Sequence, residues 1–291
     1  MQLDMTRGPI LPRMLRLMIP ILIGNIFQQL YNMVDTMIVG RFLGSAALAA
    51  VGSTGNLMFM VTGFAMGAAI GFSVLTSQAF GAEQMEKLKN SVAISFMLGV
   101  ALSAVITVFS LLLADAALHL MRTPEDIYPE AKAYINIIFG GITATFFYNL
   151  FAAHLRAVGN SRAPLFFLIL SALLNVGLDL LLIAGLGMGV QGAAFATILS
   201  QTVSALLCLL YILRRMPVLV PGRAHWRFRK EIAIHQLKMG IPMGLQHTIT
   251  ASGMTVMQAA INSFGSTAVA SITAATKLQY LLMQEIGRAH V

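Results

Sequence analysis

Charged residues and cysteine are scarce in this sequence. Only 10% of the 291 residues are Asp, Glu, Lys or Arg, whereas 57% are hydrophobic and the mean hydropathy is +0.80. Because soluble domains carry roughly a quarter of charged residues, this composition excludes an ordinary soluble globular protein. It indicates a polytopic membrane protein.

The scarcity of cysteine excludes two further classes of site. The one cysteine, Cys208, lies in an apolar run, so neither a disulfide framework nor a thiolate metal site is expected. The six histidines are scattered, without a pair at metal-ligand spacing. No small-residue cleavage site follows the first apolar run, which predicts no cleavable signal peptide. We expect no resident metal, no cofactor, no catalytic residue and hence no enzyme.

The net charge of +8 is concentrated in alternate connections between the apolar runs. If the N-terminus is cytoplasmic, the basic residues on that side of the membrane are Arg7, Arg13, Arg16, Lys87, Lys89, Arg156, Arg162, Arg214, Arg215, Arg223, Arg227, Arg229, Lys230 and Lys238. The other side then holds Arg41, Arg122 and Lys132. Because Lys and Arg favour cytoplasmic loops, we predict a cytoplasmic N-terminus. The basic charge therefore reflects topology in a lipid membrane and not a nucleic-acid site.

Eight apolar segments are long enough to cross a membrane, since a helix of ~20 residues spans the ~30 Å hydrocarbon core. They are residues 17–39, 46–74, 91–113, 131–153, 165–184, 192–213, 240–262 and 266–285. We predict an all-α fold with a six-helix N-terminal lobe in residues 1–213 and the first two helices of a second lobe in residues 240–285.

Residues 214–239 form the longest polar stretch and are predicted to be a basic cytoplasmic linker between the lobes. Trp226 and Phe228 among its arginines suit a segment that lies on the anionic membrane surface. A fully solvated linker is the alternative.

The first span carries an acid where one is costly. Its polar residues recur at spacings of three, four and three, which places them on one face of a helix. They are Asn25, Gln28, Asn32 and Asp35. A carboxylate at mid-membrane costs ~2.5–3.5 kcal/mol on insertion scales, so this face is predicted to point away from lipid. The alternative is that Asp35 lies near the interface and is hydrated by headgroup water.

The fifth span holds a second acid at a matching position. Asn175 and Asp179 lie one helical turn apart on a polar face. Asp179 follows Pro164 by fifteen residues, just as Asp35 follows Pro20. Both spans run outward, and fifteen residues rise ~22 Å in a helix. We therefore expect the two carboxyl groups to meet at one depth, toward the outer side of the first lobe.

Two further side chains are expected at this depth. Thr197 stands five residues into the inward-running sixth span, and Tyr31 lies one turn before Asp35. The sequence therefore predicts a site of two carboxylates, an amide, a hydroxyl and a phenol inside the first lobe.

Such a site suits a small cation. Two carboxylates in a medium of low dielectric constant cannot both ionise at low cost, so the pair tends to hold a proton. Na⁺ is the alternative occupant, because hard cations favour carboxylate, amide and hydroxyl oxygens. Its candidate ligands are Asp35, Asn175, Asp179 and Thr197. We expect occupancy to change the packing of the first helix, with Pro20 as the hinge; a static kink is the alternative.

A repeat relates the two ends of the chain. LRLMIP at 15–20 resembles LKMGIP at 237–242, and GSAALAAVGSTGNL at 44–57 resembles GSTAVASITAATKL at 265–278. Six spans separate the two copies, so both enter the membrane in the same direction. Parallel repeats of this kind are typical of transporters in which two helix bundles enclose a path.

Two glycine motifs are assigned to packing and to a turn. The run GFAMGAAIG at 63–71 places a glycine at every fourth position of the second span, which allows a neighbouring helix to approach closely. The run GMGVQG at 187–192 matches the dinucleotide fingerprint, but it follows a spanning helix and no acid lies about twenty residues on. We predict a tight turn there and no nucleotide site.

With these features together, the sequence resembles the MATE family, the multidrug and toxic compound extrusion transporters of bacteria. The resemblance covers nearly the whole chain, and its most specific segments are IPILIGNIFQQLYNMVDTMIVGRFLG, LRAVGNSRAPLF, LNVGLDLLLI with GLGMGVQGAAFATILSQ, and GIPMGL. It implies twelve helices in two six-helix lobes around a cleft. It also implies a monomer in the plasma membrane that exports lipophilic, often cationic, drug-like compounds in exchange for H⁺ or Na⁺.

By motif match, the resemblance also implies roles for individual residues. The site positions are Gln28, Tyr31, Asp35, Asn175, Asp179 and Thr197, and the bending proline is Pro20. Some members carry a seventh-helix carboxylate about eight residues after the GIP proline. Here residues 248–250 read TIT, so no second-lobe cation site of that kind is expected.

The chain departs from the family by ending after about eight helices. Its last residues, IGRAHV at 286–291, break the apolar pattern and are predicted to be a non-native, adaptor-derived tail. We expect a C-terminally truncated chain, with transport a property of the intact parent.

Two other functions use similar features. Flippases of lipid-linked oligosaccharides share the wider superfamily and are the alternative function. A flippase would be expected to line its cleft with basic residues, whereas the spans here are poor in Lys and Arg, with Lys277 as the exception. Intramembrane aspartyl proteases also need two membrane acids, in YD and GxGD contexts. Here Asp35 follows Val34 and Asp179 follows Leu178, which argues against a protease.

Overall fold

The computed structural model describes residues 10–286, which form helices joined by short connections. The helices are α1 (Ile10–Gly81), α2 (Met85–Leu120), α3 (Tyr128–Gly140), α4 (Ile142–Ala157), α5 (Arg162–Asp179), α6 (Gly189–Arg215), α7 (Lys230–Asn262) and α8 (Ser266–Ile286). No strand occurs within residues 10–286, so the all-α prediction is confirmed. Arg7 and residues 287–291 of the predicted non-native tail lie outside the described residues.

Helix α1 consists of two spans joined at Gly44. Its 72 residues would measure ~108 Å as one straight helix, more than three times the ~30 Å hydrocarbon core. Gly44 has φ 87° and ψ −174°, a conformation that residues with a side chain rarely adopt. We call residues 10–43 α1a and residues 45–81 α1b. They correspond to the first two predicted spans.

The last two helices are also separated at a glycine of positive φ. Gly265, the counterpart of Gly44 in the sequence repeat, has φ 89° and separates α7 from α8. Pro20 and its counterpart Pro242 both lie inside helices. The sequence repeat is therefore also a structural repeat, in which α7 and α8 correspond to α1a and α1b.

A contact between α1b and α8 marks the axis of this repeat. A Cβ atom on Gly52 would collide with the side chain of Thr273. The offset of 221 that relates 44–57 to 265–278 also makes these two residues counterparts. Equivalent positions touch each other where a two-fold axis passes between them, so the pseudo-two-fold axis runs through this contact.

The connections between helices lie at two ends of the bundle. The basic end holds residues 82–84, 158–161 and 216–229, and the distal end holds the break at Gly44 and residues 121–127, 186–188 and 263–265. The distal end is the one that the positive-inside rule predicts to face outward.

Length and composition select four of the described helices as candidate spans, or five when α3 and α4 are counted together. The pair is bent by 46° at Gly141, where a Cβ atom would collide with Ile198 of α6. One selected helix, Leu22–Gly81, contains most of α1a and all of α1b. This count covers only the described residues, which leave out parts of α7 and α8, and all eight predicted segments are helical.

The linker is shorter than predicted. Helix α6 extends to Arg215 and α7 begins at Lys230, so the prediction of a linker over 214–239 is wrong at its C-terminal end. The first turns of α7 are amphipathic: Ala233 and Gln236 are buried on the face that packs against the first lobe. This packing favours a helix where the sequence reads as a polar stretch.

The linker is also anchored to the basic end of the first lobe. Leu219 is buried in a core cluster that also contains Leu155. The Trp226 ring meets the Phe96 ring edge-on, with centroids 5.6 Å apart, and His225 Nε2 lies 2.9 Å from Glu86 Oε2. Residues 222–229 are nevertheless mostly exposed, so the choice between a linker on the membrane surface and a solvated linker stays a prediction.

Candidate functional site

The two acids that stand out in the sequence lie together inside the first lobe. Asp179, the last residue of α5, is fully buried, and Asp35 of α1a is partly buried. Their carboxyl groups are in hydrogen-bonding contact. The contact lies in the distal half of the lobe, about two and a half turns from the break at Gly44. Distant parts of the chain thus bring two carboxyl groups to one depth.

Asn175 connects this pair to α6. The surrounding groups set the orientation of its fully buried amide. In that orientation Nδ2 donates to Asp179 Oδ2 at 3.0 Å, and the amide oxygen accepts from the backbone N–H of Thr197 at 3.1 Å. Asn175 therefore presents hydrogen-bond donors, and not its oxygen, to the carboxyl pair.

Thr197 and Tyr31 complete the predicted cluster. The Thr197 hydroxyl donates to the carbonyl oxygen of Ala193 at 3.0 Å, which leaves its oxygen able to accept. The Tyr31 side chain lies against Thr197 and close to Asp35. The structure thus brings together Asp35, Asp179, Asn175, Thr197 and Tyr31.

Two residues of the predicted set lie apart from this cluster. Gln28 is exposed, two turns along α1a from Asp35. Pro20 lies further toward the basic end, and the backbone there keeps helical dihedral angles. The only break inside α1 is at Gly44. A hinge at Pro20 therefore stays a prediction.

Sequence reasoning missed Tyr134. This residue of α3 is 4% exposed and lies among Tyr31, Asp35 and Asp179. A phenol counts as hydrophobic in a composition, and the run YINIIF gave no polar stripe. Its position was nevertheless a signal, because it stands three residues inside the outer start of the predicted fourth span, at the depth of the two acids.

The backbone after Asp179 was also not predicted. Residues Leu180–Gly185 form a π-helix that continues α5. Such wide turns are rare and often lie at functional sites. Here the wide turn begins directly after the buried acid, and its residue Ile183 packs into the core beside the site.

The surroundings of the pair are apolar. Ile38, Val39, Ile183 and Val190 belong to the same core cluster as Tyr134. Among the side chains that the structure describes, the ion pairs involve Asp115 and Glu86, and none involves Asp179. The buried Oδ1 atom of Asp179 receives no hydrogen bond from the N–H and O–H groups in this part of the chain. A donor or a cation is needed to balance the pair.

The side chains present fit a proton or one small cation. Within the described residues no three His, Cys, Asp or Glu side chains are grouped to hold a metal ion. A proton between the two carboxyl groups would give Asp179 Oδ1 the donor that it lacks and would remove one buried charge. A proton would therefore satisfy this site without any other group.

Comparison with known proteins shows which family the chain resembles. The profile of the MatE family matches residues 20–181, more than half of the chain. The chain is 31% identical over 281 residues to the probable multidrug resistance protein YpnP of Bacillus subtilis, covering 96% of this chain and 62% of YpnP. It is 29% identical to the probable multidrug resistance protein NorM of Thermotoga maritima, covering 83% and 52%.

Solved structures of transporters have the same fold. An inward-facing multidrug resistance MATE family transporter of the MOP superfamily superposes with a TM-score of 0.83 and 28% identity, over 93% of this chain and 62% of that one. An outward-facing form gives a TM-score of 0.82, also with 28% identity, over 94% and 61%. The chain thus spans about three fifths of the length of these relatives. Because the family profile covers more than half of its residues, the chain belongs to the MatE family.

Proposed function

We propose that the full-length protein is an antiporter that exports lipophilic, cationic drugs across the bacterial plasma membrane in exchange for protons. The observation that carries this proposal is the contact between the carboxyl groups of Asp35 and Asp179 in an apolar interior, where Asp179 Oδ1 has no donor among the described residues. The names of YpnP and NorM support multidrug resistance as the outcome of transport.

The orientation of Asn175 favours H⁺ over Na⁺. A sodium ion needs oxygen ligands, whereas Asn175 directs its NH₂ group at Asp179 and uses its oxygen for the Thr197 N–H. Rotating the amide to offer its oxygen would leave that buried N–H without this acceptor and would turn a donor away from the carboxylate. A proton shared by the two acids requires no such change.

Coupling follows from the charge of the pair. With one shared proton the two carboxyl groups carry a single negative charge, and the packed arrangement around them is stable. Loss of that proton leaves two charges in an apolar site, which is costly unless water or a cationic substrate enters. Movement of α1a would admit water or the cationic substrate to the site. A proton that returns from the distal side displaces the substrate, so one cation leaves the cell for each proton that enters.

The substrate side of the proposal rests on the polar face of α1a. The amides of Asn25 and Gln28 are exposed on this face, about three and two turns from Asp35 toward the basic end. The large apolar residues exposed between Ile19 and Met37 lie on the opposite face, which suits contact with lipid. A row of amides that leads to a carboxyl pair suits a cationic substrate.

Transport in proteoliposomes tests this function. The full-length protein is reconstituted, and efflux of a fluorescent lipophilic cation is followed under a pH gradient or a Na⁺ gradient. We expect efflux with the pH gradient, and efflux at the level of protein-free liposomes after Asp35→Asn or Asp179→Asn. Asp115→Asn, which alters an exposed acid outside the site, is the matched control and keeps full activity. Efflux driven equally well in Asp179→Asn would refute the proposal, and efflux driven by Na⁺ alone would refute its choice of ion.

A further inference from the structure

The connection between α6 and α7 concentrates positive charge at the basic end of the bundle. Residues 214–230 contain no Asp or Glu, and all of their Lys and Arg side chains are exposed: Arg214, Arg215, Arg223, Arg227, Arg229 and Lys230. None of them is ion-paired with a carboxylate among the side chains that the structure describes. This segment therefore carries a surplus of cations that these side chains do not neutralise.

A neighbouring connection at the same end has a different charge pattern. Residues 82–90 hold Lys87 and Lys89 but also Glu83 and Glu86, so their formal charges cancel. The preference of Lys and Arg for the cytoplasmic side accounts for basic residues in both connections. It does not account for the lack of acids in only one of them. Uniform positive charge there suits an anionic partner.

Contacts with the first lobe give the segment a fixed shape. Because a carboxylate only accepts hydrogen bonds, His225 Nε2 donates to Glu86 Oε2 at 2.9 Å. The other ring nitrogen, Nδ1, lies 3.0 Å from the backbone nitrogen of Gly222. Leu219 is buried in the core of the first lobe. The Glu86 carboxylate is thus engaged by a histidine, the arginines stay available, and the fixed backbone loses little conformational entropy when a ligand binds.

Trp226 lies at a height that suits the membrane interface. Its ring meets the ring of Phe96, which is five residues, or ~8 Å, inside the predicted third span. The Phe96 ring centroid is in turn 5.1 Å from that of Phe147, ten residues before the end of α4. Trp226 is still 41% exposed, and Phe228 is 63% exposed. Exposed aromatic rings at this level are typical of the boundary between headgroups and acyl chains.

Cations and aromatic rings alternate along this part of the chain. The run RAHWRFRK at 223–230 places Arg223, Arg227 and Arg229 on either side of the two exposed rings. Guanidinium groups bind phosphate through paired hydrogen bonds, and aromatic side chains insert at the boundary of the acyl chains. A zwitterionic headgroup offsets its phosphate with its own ammonium group, whereas an anionic headgroup does not. The segment therefore suits an anionic phospholipid more than a zwitterionic one.

We propose that the connection between α6 and α7 binds anionic phospholipids of the cytoplasmic leaflet. Arg223, Arg227 and Arg229 hold the headgroup phosphates. Trp226 and Phe228 lie against the first carbons of the acyl chains. Because the segment continues directly into α7, bound lipid also fixes the start of that helix at the membrane surface. This binding depends neither on the coupled ion nor on the exported compound.

Fluorescence of Trp226 reports on this lipid directly, because Trp226 is the one tryptophan of the 291 residues. The full-length protein is reconstituted in phosphatidylcholine with a minor fraction of phosphatidylglycerol, or of phosphatidylcholine, that is brominated near the headgroup end of its acyl chains. Bromine quenches tryptophan only at short range. We expect brominated phosphatidylglycerol to quench about threefold more strongly, since the cations enrich anionic lipid around the ring. The Trp226→Phe variant supplies the background from the rest of the full-length protein.

Removal of the three arginines tests whether they select the lipid. In the triple variant Arg223→Gln, Arg227→Gln and Arg229→Gln, we expect the two brominated lipids to quench Trp226 about equally, because the phosphate ligands are gone and the ring stays in place. High salt should have the same effect on the unaltered protein, since the Debye length falls from ~8 Å at physiological ionic strength to ~3 Å at about 1 M. A purely apolar contact between Trp226 and lipid would respond to neither change.

The matched control removes the same number of positive charges from the distal end. Arg41→Gln, Arg122→Gln and Lys132→Gln together should leave the preference for brominated phosphatidylglycerol unchanged. Equal quenching by both lipids in the unaltered protein, or a preference that survives loss of the three linker arginines, overturns the proposal. Absence of quenching by either lipid also overturns it, because the segment then lies in water. Quenching is measured without a gradient or a substrate, so loss of efflux in the same preparation would count against the proposed function only.

Discussion

The two copies of the repeat share a backbone plan and differ in chemistry. Helices α1a and α7 each contain a proline, and each is followed by a glycine of positive φ that begins the next span. The position equivalent to Asp35 in α7 is Val256 or Met257, depending on where the one-residue gap falls, and both are exposed. The two copies therefore share a backbone plan, whereas the acid at this position occurs in the first copy and not in the second.

The largest effect is expected from moving the acid between the copies. In the double variant Asp35→Asn and Met257→Asp, the total number of acids is restored but the new carboxyl group has no Asp179 beside it. We expect efflux in proteoliposomes to stay at the background level of Asp35→Asn alone. Recovery of proton-driven efflux would mean that the two copies are chemically interchangeable and that the comparison is wrong.

A smaller effect is expected when Asn175, which donates a hydrogen bond to the carboxyl pair, is replaced. Asn175→Leu keeps the branching of the side chain, although it is larger, and removes the donor to Asp179 and an acceptor of the Thr197 N–H. Loss of a hydrogen bond to a charged group costs ~1.5–3 kcal/mol, so proton-driven efflux should fall by roughly 10- to 100-fold. Ser171→Ala, one turn earlier on the same face of α5, is the control. Unchanged efflux in Asn175→Leu would remove Asn175 from the site.

Stability should distinguish the two halves of α1b. Gly71→Ala places a methyl group against the Gly240 backbone, and we expect a loss of ~1–3 kcal/mol and a lower melting temperature. Gly55→Ala on the same helix meets nothing within 4 Å and should be neutral or slightly stabilising. Thermal unfolding in detergent measures both. Equal melting temperatures would show that the approach of Gly71 to Gly240 does not hold α7 in place.

The smallest effect is expected at the distal surface. The Lys132 ammonium and the Tyr128 hydroxyl hold the pKa of Asp115 below its usual range. A lowered carboxyl pKa stabilises the folded state above the unfolded pKa, and that contribution is lost as the pH falls through the folded value. Lys132→Met should raise the Asp115 pKa in an NMR titration and leave efflux unchanged, because the pair is exposed. A change in efflux would extend the coupling site to this surface.

The depth of Asp35 and Asp179 in the membrane and the helical periodicity around them predicted their contact, because both follow from the regular geometry of a helix. Counting fifteen residues from Pro20 and from Pro164 places Asp35 and Asp179 at one level, and the structure brings them into contact. The amphipathic start of α7 was misread as linker, since its polar residues pair with Ser91, which is remote in sequence. Periodicity within one element cannot reveal such a partner.

Other features have no counterpart in a one-dimensional pattern. The π-helix at Leu180–Gly185 follows from no pattern in the sequence, and Ile183 is its one buried residue. In the sequence, Tyr134 resembles an ordinary aromatic residue of the core, because only the depth of the site distinguishes it. The hydrogen bonds of Gln236 with Ser91 and of Asn56 with Gln258 join different helices, so no spacing along the sequence marks them.

Infrared spectroscopy of the 291-residue chain tests the central claim most directly, because it observes the proton itself and needs no transport. At neutral pH we predict the carbonyl stretching band of a protonated carboxyl group, shifted in D₂O, unaffected by Na⁺ and by Asp115→Asn, and lost in both Asp35→Asn and Asp179→Asn. Absence of this band at neutral pH, or its persistence in both of those variants, would contradict the account.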